Sequence, residues 1–360
     1  VNTVAARPDL RDRLLTVTGG PTLRAVARMP DSVKRALLGG RSVSIDGNTL
    51  DTTLQFVLTA QRLSGREGLI LSHHVPTARR RLNLTASRFP RLHVDVTSTD
   101  FTIEGPAGAI PVRHYRPRDG QGAPLLVFYH GGGFVVGGLE THGHLCELIC
   151  QNAGLHVLFV GYRLAPEHKA PAAIDDAYAG YLWAREHAAE LGADPQRVAV
   201  GGDSAGGNLT AVVTLRSRDD DAPRPALQLL LYPVTNFAGQ TRSYGLFAEG
   251  FFLRRQDMEF GRGHYIGGSG IDPADPRVSP LLADDLAGLP PSILVTTGFD
   301  PLRDEGRLYA EALRAAGNSV DFREYGSLIH AFPNFMTLGG GSATAMDEII
   351  SALQEHLSRS

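Results

Sequence analysis

The chain has 360 residues, 42% hydrophobic and 20% charged, which excludes a disordered or fibrous protein and leaves room for two domains or one large α/β unit. Its formal net charge of −3 lacks the basic excess of a nucleic-acid binder. Of 35 basic residues only Lys34 and Lys169 are lysine, and their neighbours fit neither a P-loop, nor a Ser-x-x-Lys hydrolase, nor the kinase Val-Ala-Ile-Lys strand.

From the N-terminus, Val1 to Arg28 carries five arginines among scattered apolar residues and has no apolar core like that of a signal peptide. A polar lead-in to a cap is expected there. No apolar run reaches the roughly 18 residues of a membrane span. Helices are expected around Thr52–Arg62, where Leu54, Val57 and Leu58 share a face, and around Thr77–Phe89. His93–Ile103 alternates as a half-buried strand would, and Ile110–Tyr115 is a second strand candidate.

From Leu125 the pattern becomes strand, loop, helix, repeated. Continuous apolar runs stand at Leu125–Tyr129, His156–Val160, Arg197–Val200, Leu227–Tyr232, Ile293–Thr297 and Val320–Tyr325. Strands buried on both faces of a parallel sheet need such runs. Between them Leu139–Ala153 and Ala172–Leu191 read as helices; in the second, Ile174, Ala177, Tyr178, Tyr181 and Leu182 form one stripe. Cys146 and Cys150 share a face of the first and are expected to be small core residues in a reducing, cytoplasmic compartment. His142 and His144 lie near them, but no zinc spacing is present, so no metal is expected. The expected organisation is an N-terminal helical cap region (1–92), an α/β core (93–235), an aromatic-rich cap insertion (236–285) and the rest of the core (286–360).

Chemistry concentrates at the carboxyl ends of the predicted strands, where open α/β sheets bind ligands. Gly202-x-Ser204-x-Gly206 follows one strand and precedes a helix. At such a sharp turn a serine stands clear of the backbone, flanking glycines remove colliding side chains, and the Ala205 amide is left free at the helix start. His130-Gly131-Gly132-Gly133-Phe134 follows an earlier strand and offers bare amides as the other half of an oxyanion hole. Asp300 ends one later strand and His330 follows the next, giving the order Ser204, Asp300, His330. Asp304 is the rival acid. His130 is expected to orient its loop, Asp203 to support the serine turn, and Glu167 to pair with Arg163 or edge the site. Phe134, Phe247, Phe251 and Phe252 are candidate pocket residues. With lysine nearly absent, the base that activates Ser204 must be a histidine.

From about His93 onward the chain resembles the hormone-sensitive-lipase group of α/β-hydrolases, bacterial carboxylesterases with a His-Gly-Gly-Gly loop and a Gly-Asp-Ser-Ala-Gly elbow. Tyr162-Arg163-Leu164-Ala165-Pro166-Glu167 and Asp300-Pro301-Leu302-Arg303-Asp304-Glu305 extend the likeness. The resemblance implies an α/β-hydrolase fold, with a mostly parallel central sheet flanked by helices and a helical cap. It implies Ser204 as nucleophile, Asp300 as acid, His330 as base, and Gly132, Gly133 and Ala205 as oxyanion donors. It implies hydrolysis of short- to medium-chain acyl esters with no metal or organic cofactor; relatives are often homodimers, and the oligomeric state of this chain stays open. Longer-chain lipase action and arylacetamide-type amide hydrolysis use the same residues and stay open. So does a non-catalytic ligand-binding module of the same fold, although such modules typically lose a triad residue and this chain keeps all three. Two positions depart from the group: Gly161 stands where Asp is usual, and Ala331 where Gly usually follows the histidine. The 41 glycines, about 11% of the chain against a usual ~7%, cluster partly in these loops; Gly339 to Gly341 have no role assigned.

Overall fold

A computed structural model describes residues 23–358. In chain order they form α1 (Asp31–Leu37), a hairpin of β1 (Ser44–Ile45) and β2 (Asn48–Thr49), α2 (Thr52–Leu63), α3 (Val75–Ala86), β3 (Val96–Gly105), β4 (Gly108–Pro117) and β5 (Ala123–Tyr129). Next come α4 (Leu139–Ala153), β6 (His156–Val160), α5 (Ala172–His187), β7 (Ala193–Asp203), α6 (Ala205–Asp219) and β8 (Gln228–Leu231). The short α7 (Arg242–Leu246) and α8 (Arg255–Tyr265) precede β9 (Ser292–Phe299), α9 (Arg303–Ala315), β10 (Val320–Ile329) and α10 (Gly340–Ser358). None of the described helices is long and apolar enough to cross a membrane.

Eight strands make one sheet in the order β10-β9-β8-β7-β5-β6-β4-β3. β3, β4 and β6 pair antiparallel, and every other pair is parallel. The division follows the residue pattern. β6, β8 and β9 are buried along their whole length, whereas edge strand β3 is mostly exposed. Alternate residues of β5 feed opposite layers: Leu126 and Phe128 pack with α4 and α10, while Leu125, Val127 and Tyr129 pack with α5 and α6. Cys146 and Cys150 are free thiols buried in the first layer.

The N-terminal region is tied to the distant end of the chain. The Asp51 amide donates to the Ser327 carbonyl at 2.9 Å. Its carboxylate accepts from Leu54 N in the first turn of α2 and from Gly341 N in the first turn of α10, each at 3.0 Å. Asp46, in the β1–β2 turn, pairs with Arg242 and with buried Arg303. Arg79 of α3 donates to the carbonyls of Val135 and Ala165, each at 2.8 Å, and pairs with Glu167 at 2.7 Å. Glu167 therefore does not pair with Arg163, whose guanidinium reaches Asp176 of α5 at 2.7 Å instead.

Candidate active site

The site is assembled at the carboxyl ends of β5, β7, β9 and β10. Ser204 joins β7 to α6 with φ 56° and ψ −114°, a region that non-glycine residues seldom occupy. The strain is held by Ser204 N donating to Leu231 O at 2.8 Å and by Val234 N donating to Ser204 O at 3.2 Å. The flanking glycines are required sterically. A Cβ on Gly206 would lie 1.9 Å from Tyr129 O, and one on Gly202 would lie 2.5 Å from the same oxygen. The glycines let the serine turn pack directly on the end of β5.

The Gly131–Gly133 loop leaves β5 beside that turn. Gly132 has φ 123°, and a Cβ there would meet Val136 O at 2.1 Å, so only glycine fits. Among the described residues the amides of Gly132, Gly133 and Ala205 donate to no protein acceptor. The neighbouring Gly131 amide is used differently, donating to Asp203 Oδ1 at 2.8 Å. Asp203 thus braces the loop against the serine turn. Burial pushes its carboxyl up, but the charge and hydrogen bond of His142 and the Gly131 amide outweigh that and hold it below the ordinary value. His130 is buried, stacked on Tyr162 with centroids 4.3 Å apart, and contacts Gly131 O through Nδ1 at 2.6 Å. Burial, and then the charge of His142, lower its pKa to about 3. It is a neutral ring that shapes the loop.

Asp300 is fully buried just beyond β9, and His330 is 1% exposed just beyond β10. His330 Nδ1 lies 2.8 Å from Asp300 Oδ2, and His330 Nε2 lies 2.9 Å from Ser204 Oγ. Asp300 also accepts from Leu302 N at 2.9 Å and from Thr297 Oγ1 at 3.2 Å, which fixes its plane. Asp304 faces elsewhere, accepting from Ser243 N at 2.8 Å and from Arg303 Nε at 2.9 Å. A carboxylate, an imidazole and a hydroxyl joined in this order can pass one proton from hydroxyl to ring, with the resulting cation held by the carboxylate.

Ser204, Gly131, Gly132 and His330 border a cavity of about 1070 Å³. Its apolar wall comes largely from the N-terminal region (Phe56, Val57, Leu69, Leu82), α4 (Leu145, Leu148) and the segment after His330 (Phe335, Met336). The 236–285 segment contributes Phe252 alone. The other aromatic candidates do not line the cavity. Phe134, at φ 62°, stacks on Tyr265 with centroids 3.7 Å apart. Phe247 is fully buried against Phe299 and beneath the Arg303 guanidinium, and Phe251 packs on the same Phe299 ring at 5.2 Å. Three of the four are therefore packing residues.

Both departures have a local cause or consequence. The Gly161 amide donates to Pro111 O at 2.8 Å, and a Cβ at 161 would sit 2.9 Å from that same oxygen. Ala331 has φ 62°, the left-handed conformation for which glycine is the unstrained choice, and the residue borders the cavity. Several neighbours of the site carry no mark in the sequence. The Tyr232 ring lies 4.5 Å from His330, His142 approaches Asp203 at 3.4 Å, and Glu305 is buried behind Asp300. Glu305 stands in the segment that carried the resemblance, but only the fold reveals its burial.

Residues 126–334 match a family model described as the α/β hydrolase fold. The chain is 55% identical over 338 residues to the carboxylic ester hydrolase LipN of Mycobacterium tuberculosis, covering 92% of this chain and 89% of that one. It is 42% identical over 255 residues to the carboxylesterase NlhH of the same organism, covering 69% and 79%. Among solved structures it is similar to an ester hydrolase from the metagenome of Lake Arreo, complexed with a bipyridine phosphonate derivative: TM-score 0.79, 38% identity, 85% of this chain and 97% of that one.

Proposed function

The chain belongs to the α/β hydrolases, in their hormone-sensitive-lipase group, and we propose that this carboxylic ester hydrolase works through an acyl-enzyme on Ser204. The observation that carries the mechanism is the pair of hydrogen bonds Asp300–His330–Ser204 at 2.8 and 2.9 Å, bordering the cavity. With Nδ1–H donated to Asp300, the Nε2 lone pair faces the Ser204 hydroxyl and takes its proton as Oγ attacks the ester carbonyl. Asp300 stabilises the imidazolium without itself becoming protonated. Charge on the carbonyl oxygen is received by the amides of Gly132, Gly133 and Ala205, each of which lacks a protein acceptor among the described residues; loss of one such donor costs roughly 10²–10³ in rate. His330 then protonates the leaving alcohol, and water repeats the sequence on the acyl-enzyme.

Short- to medium-chain acyl esters are the proposed substrates. The cavity favours a second reading as well. At about 1070 Å³ and with a largely apolar wall, it lies at the top of the roughly 300–1,000 Å³ range of small-molecule sites, which suits a longer acyl chain. A p-nitrophenyl ester series from acetyl to palmitoyl separates the two readings by where kcat/KM peaks. In the same series Ser204→Ala is expected to lower kcat by roughly 10⁴-fold or more. Undiminished turnover in that variant overturns the acyl-enzyme on Ser204.

A further inference from the structure

The acid-bearing turn and the serine turn are also joined away from the reacting atoms. Glu305 lies in the first turn of α9 and is 3% exposed. Its Oε1 accepts from Thr235 N at 2.7 Å, from Asn236 N at 3.3 Å and from Thr235 Oγ1 at 3.4 Å. Thr235 and Asn236 belong to the loop after β8. One residue earlier, Val234 N donates to the Ser204 carbonyl at 3.2 Å, and Val234 O accepts from Asn208 Nδ2, in the first turn of α6, at 2.8 Å. On the other side, Leu302 N donates to Asp300 Oδ1 at 2.9 Å and Arg303 N to Asp300 O at 3.1 Å. A continuous bonded path thus runs from Asp300 through the start of α9 to Glu305, and from there through Thr235 and Val234 to Ser204.

A carboxyl in such a place is costly to bury and carries no weight in the proton transfer itself. We propose that Glu305 is a positioning residue for ester hydrolysis: it staples the turn bearing Asp300 to the loop that holds the Ser204 carbonyl, and so fixes the spacing of acid and nucleophile. The inference rests on the reading of Ser204, Asp300 and His330 as the reacting groups. The staple needs an oxygen acceptor, not a charge. Burial pushes the Glu305 carboxyl up to about 8, with the Asp300 charge adding to the rise and the Thr235 and Asn236 amides opposing it. The titratable groups that face it are Asp300 and, more weakly, Tyr244. Its helix neighbours turn away, Arg303 to Gly298 O and Asp46, and Asp304 to Ser243 N. At neutral pH the group is mainly the neutral acid. Above about pH 8 it places a second negative charge beside Asp300.

The test compares Glu305→Gln and Glu305→Ala with the wild-type chain on p-nitrophenyl butyrate, with kcat expressed per serine titrated by a phosphonate ester. The alanine variant is expected to lose about 10- to 100-fold in kcat with KM nearly unchanged, because a small misplacement of reacting groups costs that much. Glutamine keeps an acceptor oxygen and is expected to recover most of the loss. Should Glu305→Ala fail to fold, Glu305→Asp, which draws the acceptor oxygens back by one methylene, takes its place with the same loss expected. An alanine or aspartate variant with full kcat per titrated serine, or a glutamine variant no better than these, overturns the proposal. A wild-type chain with no esterase activity, or an active Ser204→Ala, would instead overturn the underlying assignment of the reacting groups.

Discussion

His330 turns its Nδ1 to Asp300 at 2.8 Å, while Asp304, within the next helical turn, is held by Ser243 N and Arg303. Two acids close in sequence are thereby given different work. Asp300→Asn keeps the shape but cannot stabilise the imidazolium and favours the wrong tautomer, so kcat/KM is expected to fall by about 10⁴, against less than about tenfold for Asp304→Asn. Initial rates on one short ester measure both. The reverse ranking would move the acid to Asp304.

Among the described residues Asp51 makes the hydrogen bond of largest sequence separation. One carboxylate oxygen caps α2 through Leu54 N and the other caps α10 through Gly341 N. Each cap satisfies an amide that has no partner within its helix, and losing one typically costs about 0.5–2 kcal/mol. Asp51→Ala is therefore expected to lower stability by about 1–3 kcal/mol, read from the urea midpoint at constant slope. Because α2 and the chain after His330 both wall the cavity, KM should rise in the same variant. An unchanged midpoint would show that water replaces both caps.

The parallel core was legible because strands buried on both faces need unbroken apolar runs; His156–Val160 is a strand over the very residues expected. The Gly202-x-Ser204-x-Gly206 spacing was legible for a similar reason, since the close approach of β5 leaves no room for side chains there. What escaped were consequences of contacts between remote positions. Asp46–Arg303 and Asp51–Gly341 span 257 and 290 residues, and no local pattern announces them. They explain why the N-terminal region, not the 236–285 segment, supplies most of the cavity wall. They also give Gly341 the role it lacked, and a Cβ on Gly340 would crowd Asp51 Oδ2 and Thr53 Oγ1, each at 3.0 Å. Phe134 escaped because its positive φ turns the ring onto Tyr265. Composition can place an aromatic near a loop but not on one side of it.

Acid sensitivity has a source in two buried histidines at the antiparallel end of the sheet. His114 Nε2 of β4 lies 2.9 Å from His156 Nδ1 of β6, whose Nε2 reaches Gly120 O at 2.6 Å. Burial, then the charges of His156 and Arg116, lower the His114 pKa from 6.5 to about 4, and burial lowers that of His156 as well. In the unfolded chain both rings take up protons near pH 6.5. Between there and about pH 4 the unfolded state binds more protons, so this contribution is fully present above pH 6.5 and is lost as pH falls. Urea midpoints should decline over that window, and less steeply in His114→Gln. A slope unaltered by the substitution would place the acid sensitivity elsewhere, with buried His130 the next group to examine.

Phe252 is the aromatic candidate that does reach the cavity, and it does so from a left-handed backbone at φ 74°. Its ring meets Phe335 edge to face with centroids 5.2 Å apart. A smaller pocket bordered by Leu58, Gln61, Arg62, Glu67, Gly68, Gly250 and Arg254 also has Phe252 in its wall, so Phe252 borders both spaces. Truncation frees the volume of the ring beside Phe335 and so enlarges the apolar wall available to an acyl chain. Each methylene that gains an apolar wall is worth roughly 1–3 kcal/mol in kcat/KM, so Phe252→Ala is expected to raise the ratio of dodecanoyl to butyryl ester hydrolysis by about tenfold or more. Phe252→Trp should move the ratio the other way. If both variants keep the wild-type chain-length profile, acyl length is set by another part of the wall, and the leaving alcohol, not the acyl chain, occupies the Phe252 side.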